Sequence, residues 1–254
     1  MSLTIRYPSI SNDERLEHID VLRRRLRETN IGALLLGSTE SLLYYTGLVW
    51  HSSERLLGAV ITQSEIVYIV PGFEQSRVES LPHLAGEIRI WQEEQNSAAL
   101  VASLLKAGET LAVDDAVPLF VYNALRGQIG ADRLVDAGPI IREQRIVKSQ
   151  TEIDIIKYAM GLTLEVHRRA HQFIRPGIAA SDVVRFIDEQ HREMGASGST
   201  FCIVSFGEAT SLPHGADGEQ FYKHGDVILV DTGCRIGGYH SDLTRTSMLD
   251  EPPA

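Results

Sequence analysis

The feature that most constrains the fold lies near the end of the chain, where an apolar β-branched run, a glycine-containing break and a second run follow one another. The first run, residues 227–230, leads directly into Asp231, and Asp242 follows the break. This pattern predicts a β-hairpin. If Ile236-Gly237 form a two-residue loop, Asp231 lies directly opposite Asp242.

Two opposed aspartates need an explanation. Directly opposed side chains on one face lie about 4.5–5.5 Å apart at Cβ, and like charges there are destabilising. A bound cation, a shared proton or a different register would each resolve the conflict. The bound cation fits the rest of the chain best, so the sequence predicts that Asp231 and Asp242 are metal ligands.

Composition excludes several classes of protein. The net charge of −10 argues against a nucleic-acid-binding protein. No apolar run approaches the roughly 18–20 residues of a membrane helix, and the first eight residues contain no apolar segment typical of a secretory signal. Two cysteines, Cys202 and Cys234, have no CxxC spacing. We therefore expect reduced thiols and a cytoplasmic location.

The first 140 residues predict an α/β domain with a mixed sheet, because strand and helix patterns alternate there. A capping-box pattern, Ser11-Asn12-Asp13-Glu14, opens an amphipathic helix. Strands are predicted at residues 32–37, 57–62, 65–70, 87–91, 111–113 and 133–135, and further helices at 73–80, 97–106 and 118–130. We find no chemistry-bearing constellation of residues in this part of the chain.

The pattern changes near residue 145. A second capping box, Ser149-Gln150-Thr151-Glu152, opens a long helix that extends to about Ile174, where Arg175-Pro176-Gly177 ends it. Another helix follows at about 181–194, then a strand at 201–206, a loop at 207–218 and the hairpin. Two helices followed by strands predict a separate α+β domain over residues 145–254.

Several of these motifs together resemble one known family. They are Pro213-His214-Gly215, Gly225-Asp226, Asp231-Thr232-Gly233, and the run from Gly238 to Thr246 with Tyr239, Ser241 and Asp242. The chain is identified by them as a member of the pita-bread metallopeptidase family, in the branch of Xaa-Pro aminopeptidases and Xaa-Pro dipeptidases (prolidases). Residues 1–140 are similar to the creatinase-type N-terminal domain of that branch. The implied fold is an α/β N-terminal domain followed by the first half of an α+β pita-bread catalytic domain.

The resemblance also implies the chemistry of the site. Members of the family hold two divalent metal ions, usually manganese, cobalt or zinc, with two aspartates, one histidine and two glutamates. By this resemblance Asp231 would chelate one ion, Asp242 would bridge both, and His214 would contact the substrate near the scissile bond. Such a metal pair polarises a carbonyl and generates a hydroxide nucleophile at neutral pH. Manganese is favoured because it suits hard oxygen ligands.

The chain departs from the family pattern in one respect. The histidine ligand and both glutamate ligands of the family lie downstream of this hairpin, and the sequence in hand reaches only Ala254. We therefore expect the 254 residues to be an N-terminal portion of the enzyme, truncated within the catalytic domain and inactive or nearly so by itself. The complete enzyme would act on proline-containing peptides as a homodimer, with neither nucleic acid nor a membrane as a partner.

Other functions remain open at this point. Asp231-Thr232-Gly233 also matches the Asp-Thr-Gly of aspartic proteases, in which two carboxylates share a proton. Only one copy is present, and the chain lacks an all-β pattern. Within the same fold, a creatinase-like or lyase member would act on a small non-peptide substrate, since fold does not fix function. A relative without metals could also serve as a binding module.

Overall fold

A computed structural model describes residues 7–213 and 215–249. The chain divides into two compact units. The first comprises residues 10–147; the second comprises the chain from Lys148 onward, together with the described residues 7–9. None of the described helices is both long enough and apolar enough to cross a membrane.

The first unit is built on one six-stranded sheet with helices on both faces. Its elements are α1 (Asn12–Glu28), β1 (Ala33–Leu36), α2 (Glu40–Thr46), β2 (Gly58–Thr62), β3 (Ile66–Pro71), α3 (Gln75–Ser80), β4 (Glu87–Trp91), α4 (Ser97–Ala102), β5 (Leu111–Val113), α5 (Leu119–Ile129), β6 (Leu134–Asp136) and α6 (Gly138–Ile146). The strand order is β4-β3-β2-β1-β5-β6. Only β2 runs antiparallel to its neighbours, so the predicted mixed sheet is confirmed.

Strand β1 shows why this sheet has a core on each face. All four of its residues are buried, and alternate side chains belong to different clusters. Leu34 and Leu36 pack with residues of α1 and α2, whereas Ala33 and Leu35 pack with residues of α4 and α5. Continuous apolar strands of this kind are typical of sheets covered on both sides.

The second unit contains two helices and a smaller antiparallel sheet. Its elements are α7 (Gln150–Phe173), α8 (Ala180–Glu193), β7 (Ser199–Phe206), β8 (Ile228–Ile236), β9 (Tyr239–His240) and β10 (Leu243–Ser247). The strand order is β10-β8-β7, and β9 pairs with β8. Helix α7 begins with the predicted capping box, in which Ser149 and Glu152 each bind the other's backbone N–H.

The predicted elements are present, with differences at short helices. The prediction missed α2 and α6, although Thr39 caps α2, Gly47 ends it in the left-handed region and a proline opens α6. The helix predicted over 97–106 ends at Ala102, because tighter turns follow it. The first residues of the predicted helix 73–80 form a 3₁₀ turn before α3.

Candidate metal centre

The hairpin turns at two glycines. The loop consists of Gly237 and Gly238, whose φ angles are 57° and 93°. Ile236 and Tyr239 form the strand pair that adjoins the loop, and Arg235 and His240 form the next pair outward. Two-residue loops between twisted strands favour a type I′ turn, which needs positive φ at both central residues. Isoleucine is strongly disfavoured there, so the predicted Ile236-Gly237 loop is wrong.

Moving the loop by one residue changes the predicted register by two. Asp231 lies opposite Thr244 rather than opposite Asp242. If the same register is continued across the break between β9 and β10, Asp242 faces Gly233, two residues beyond Asp231. Because side chains alternate with a period of two, the shift leaves both aspartates on the same face. They are diagonal neighbours, about 7–8 Å apart at Cα.

The two faces of this sheet differ in exposure. Helices α7 and α8 cover one face, where the alternate β8 residues Val230, Thr232, Cys234 and Ile236 are all buried. Asp231 lies on the other face and is partly exposed, and Asp242 is exposed. The sheet thus presents the two carboxylates to solvent from a well-packed base.

Asp231 is oriented by its cross-strand partner. The hydroxyl of Thr244 donates a hydrogen bond to Oδ1 of Asp231, with a distance of 2.8 Å. This bond fixes the rotamer of the carboxylate and leaves acceptor positions on its oxygens for another group. Thr244 belongs to the Asp-Leu-Thr run of the hairpin, but sequence analysis gave it no role.

Close approach of two backbones shapes the hairpin beside Asp242. A Cβ at Gly233 would overlap the carbonyl oxygen of Ser241, so the ladder admits only glycine at that position without a shift. The N–H of Cys234 donates to the side-chain Oγ of Ser241 at 2.8 Å, and the N–H of Ser241 donates to the carbonyl of Cys234 at 2.9 Å. A side-chain hydroxyl therefore acts in the ladder just before Asp242.

Two further side chains of the hairpin are attached to α7 beneath it. The Oγ of Ser241 lies 2.7 Å from Oγ1 of Thr163, and the hydroxyl of Tyr239 donates to Oε1 of Glu152 at 2.8 Å. Sequence analysis missed Thr163 and assigned Glu152 only to a capping box. The helical spacing of α7 could have placed both residues on its inner face, but nothing in the sequence pairs them with the hairpin.

The third predicted site residue, His214, lies outside the described residues. Its neighbour Gly215 has a φ of 81° and donates its N–H to the carbonyl of Leu212 at 3.0 Å. A Cβ at Gly215 would lie 3.7 Å from Cγ2 of Ile203, the strand partner of Asp231. The role of His214 stays a prediction.

Burial sets the protonation of the groups beneath the sheet. It lowers the pKa of His167, whose Nε2 lies 2.9 Å from the carbonyl oxygen of Leu243. It also lowers the pKa of His191, and it raises the pKa of the Cys202 thiol to about 11. A thiol with that pKa is protonated at neutral pH and is a poor metal ligand.

The described residues fit part of a divalent-metal site. Asp231 and Asp242 offer hard carboxylate oxygens, which suit manganese and similar ions. Within residues 7–213 and 215–249 no group of three or more histidines, cysteines and carboxylates is arranged to hold an ion. The described part of the chain thus supplies two carboxylates, and their assignment as ligands stays a prediction.

Two family models match this chain. Residues 18–147 match the creatinase/prolidase N-terminal domain, and residues 154–254 match metallopeptidase family M24. Together they cover both units of the structure.

Related proteins and solved structures agree with these matches. A putative dipeptidase of Bacillus subtilis, YkvY, is 32% identical over 87% of this chain and 62% of its own length. The crystal structure of dipeptidase PepE from Mycobacterium ulcerans has a TM-score of 0.87 at 25% identity, over 96% of this chain and 67% of that one. An Xaa-Pro dipeptidase from Bacillus anthracis has a TM-score of 0.80 at 26% identity, over 94% and 66%. The chain spans about three-fifths of the length of the curated relatives that it matches.

Proposed function

Because this chain belongs to metallopeptidase family M24 and carries the creatinase/prolidase N-terminal domain, we propose that its activity is that of a metal-dependent exopeptidase cleaving Xaa-Pro bonds. The observation that carries the proposal is the pair Asp231 and Asp242 on the open face of a hairpin whose other face is packed against helices. The dipeptidase relatives support the reaction class, and the similarity to an Xaa-Pro dipeptidase supports the choice of substrate.

In this proposal Asp231 and Asp242 are two ligands of a dinuclear centre, with manganese as the preferred metal. When bound, a pair of divalent ions supplies Lewis acidity and a nucleophile at neutral pH. The residues of this chain have the task of holding that centre in place. Thr244 keeps the carboxylate of Asp231 in one orientation, and the glycine at position 233 lets the strand that carries Asp242 approach closely. The resemblance implies three more ligands, one histidine and two glutamates, which the described residues do not supply.

Substitution of each aspartate in the complete protein tests the assignment. We expect Asp231→Asn and Asp242→Asn to lower the hydrolysis of Xaa-Pro dipeptides by more than the roughly 10–100-fold that loss of an outer-shell partner costs. Asp20→Asn, at an exposed carboxylate of α1, is the matched control and should retain activity. Near-normal turnover of either site variant at a fixed manganese concentration would refute the assignment.

The choice of substrate needs a separate assay. Hydrolysis of Xaa-Pro dipeptides is compared with that of the same dipeptides ending in alanine, and with that of tripeptides with proline in second position. A preference for the proline dipeptides supports a prolidase, and a preference for the tripeptides supports an aminopeptidase. Equal rates with proline and alanine would contradict the Xaa-Pro specificity. The homodimeric state and the cytoplasmic location are part of the same proposal, and light scattering of the complete protein tests the first.

A further inference from the structure

Asp242 differs from Asp231 in how its side chain is held. Asp231 accepts a hydrogen bond from Thr244. Within the described part of the chain, the side chain of Asp242 makes neither a hydrogen bond nor an ion pair. It also lies in the two-residue break between β9 and β10, where the regular ladder is interrupted. Among the described residues, only the contacts of its neighbours in the chain restrict where this carboxylate lies.

Those neighbours are attached to a single helix. Tyr239, Ser241 and Leu243 alternate with Asp242 along the strand and so point to the opposite face. Each contacts α7: Tyr239 contacts Glu152, Ser241 contacts Thr163, and the carbonyl of Leu243 lies 2.9 Å from Nε2 of His167. Positions 152, 163 and 167 are eleven and four residues apart, which places them on one face of a helix. The strand therefore runs along one side of α7.

The contact at Ser241 is part of a hydrogen-bond network with a buried centre. Ser241 and Thr163 are both 0% exposed. Oγ1 of Thr163 also lies 3.1 Å from Nε2 of His191, whose Nδ1 lies 2.9 Å from Oγ of Ser199 on β7. Thr163 thereby joins the hairpin to α8 and to the far strand of the sheet. A buried hydroxyl with such partners is costly to remove, because each partner would be left unsatisfied.

The contact at Tyr239 involves the side chain of Glu152, which also caps helix α7. Glu152 is 2% exposed. Its Oε2 accepts the N–H of Ser149 at 2.7 Å and so caps α7, while its Oε1 accepts the hydroxyl of Tyr239. One buried carboxyl group therefore contacts both the start of the helix and the residue that follows the hairpin turn.

We propose that Thr163 and Glu152 are positioning residues for Asp242: through Ser241 and Tyr239 they hold the stretch of strand between the hairpin turn and Asp242, and so keep the Asp242 carboxylate where a divalent cation can use it. This inference rests on the proposed function. Preorganised ligands bind an ion more tightly, because ordering them costs nothing at the moment of binding. Loss of either contact therefore lowers metal affinity even when the fold persists.

The first test uses the metal-free chain. Amide hydrogen exchange of Ser241 and Cys234, whose N–H groups bond across the break, is measured in Thr163→Val, Thr163→Ser and Tyr239→Phe. Valine keeps the volume of threonine without the hydroxyl, and serine keeps the hydroxyl. We expect about tenfold faster exchange for Thr163→Val and Tyr239→Phe, as for one lost hydrogen bond, and wild-type exchange for Thr163→Ser. Tyr45→Phe, which removes a buried hydroxyl in the first unit, is the control and should leave both amides unchanged.

The second test measures the metal directly. Mn²⁺ is titrated into the complete protein carrying the same substitutions, and the paramagnetic broadening of the amide resonances of Gly233 and Asp242 gives the midpoint. We expect Thr163→Val and Tyr239→Phe to require about tenfold more Mn²⁺ than the wild type and Thr163→Ser to match it. Asp242→Asn defines the loss of the site.

The outcomes separate this inference from the proposed function. If the wild type shows no selective broadening, the metal assignment of Asp231 and Asp242 fails, and the exchange experiment still decides whether Thr163 and Glu152 order the strand. If the wild type binds Mn²⁺ and Thr163→Val binds it equally well, the positioning role is overturned while the metal site stands. Thr163→Ser behaving like Thr163→Val would also overturn it, since packing rather than the hydroxyl would then matter.

Discussion

At the scale of single residues, Thr244 shows how one side chain prepares a carboxylate. Its hydroxyl donates to Asp231 across the strand pair, and the two residues are directly opposed. In the proposed metal site Thr244 is an outer-shell partner, and such partners typically contribute 10–100-fold to metal affinity or activity. We therefore expect Thr244→Val to lower metal-dependent peptidase activity of the complete protein within that range, as measured by the manganese concentration at half-maximal rate. Thr246→Val, two residues along the same face of β10, is the control; an equal loss in that variant would contradict a specific role for Thr244.

Two glycines of the second unit should respond in opposite ways to the same substitution. Gly233→Ala places a Cβ against the carbonyl of Ser241, whereas a Cβ at Gly161, within α7, meets nothing within 4 Å. We expect Gly233→Ala to destabilise the unit by roughly 1–3 kcal/mol. Gly161→Ala should stabilise it by up to about 1 kcal/mol because alanine is the better helix former. Urea unfolding followed by circular dichroism measures both, and destabilisation of equal size in the two variants would refute the close approach at Gly233.

The sequence alone could predict the two candidate ligand residues but not the residues that contact and orient them. Asp231 and Asp242 stand out because they flank a glycine break in one local pattern. Thr163 carries no such signal, since its partner Ser241 lies 78 residues away and a threonine inside a helix has many ordinary explanations. For Glu152 the sequence predicted only the capping box, because that motif is local. Its contact with Tyr239 joins residues 87 positions apart and has no local signal.

At the scale of elements, the hairpin shows how a local rule decides a register. The prediction of two strands around a glycine break is confirmed, and the predicted loop is wrong by one residue because only Gly237-Gly238 supply positive φ twice. The period of two in the strands made this error harmless for the face on which the aspartates lie. Short helices such as α2 were missed because a seven-residue helix spans too few turns to show a periodic apolar stripe.

The contact between α7, α8 and β7 gives the second unit a defined dependence on pH. Burial lowers the pKa of His191 below the value of 6.5 that it has in an unfolded chain, so the unfolded state takes up a proton first as the pH falls. The free energy of unfolding therefore decreases below about pH 6.5, by at most ~1.4 kcal/mol per pH unit for this group.

His191→Gln removes this titration. The variant should be less stable than the wild type at pH 7, because its partners Thr163 and Ser199 lose the imidazole. The difference in unfolding free energy between the two proteins should then shrink between pH 7 and pH 5. Urea unfolding at four pH values measures it, with the same substitution at exposed His51 as the control. A constant difference over that range would contradict the lowered pKa.

At the scale of the whole molecule, the unfolding of the two units can be followed by different spectroscopic probes. Both tryptophans of the chain, Trp50 and Trp91, lie in the first unit, and the indole of Trp91 donates to the carbonyl of Leu56 at 3.0 Å. Tryptophan fluorescence therefore follows the unfolding of that unit, while far-ultraviolet circular dichroism follows both. If the units unfold independently, the two probes give different midpoints.

A substitution in the core of the first unit shows which unfolding transition belongs to which unit. Leu35→Ala, at a fully buried position of β1, should lower the fluorescence midpoint by the equivalent of roughly 2–5 kcal/mol and leave the second transition seen by circular dichroism in place. One coincident transition in both the wild type and the variant would show that the chain unfolds as a single cooperative unit. The mixed sheet that holds this core was predictable from its apolar strands, because each of them is a short local pattern.

The contact between Thr163 and Ser241 also has a consequence in time. The two residues are 78 positions apart, and a ribosome adds roughly 5–20 residues per second, so Thr163 is synthesised roughly 4–16 s before Ser241. During that interval the hydroxyl of Thr163 can bond to a carbonyl of the preceding turn of its own helix, as threonines inside helices do. We expect the bond to Ser241 to replace such a bond only after the hairpin has been synthesised, so helix α7 can hold the strand that carries Asp242 only from that point on.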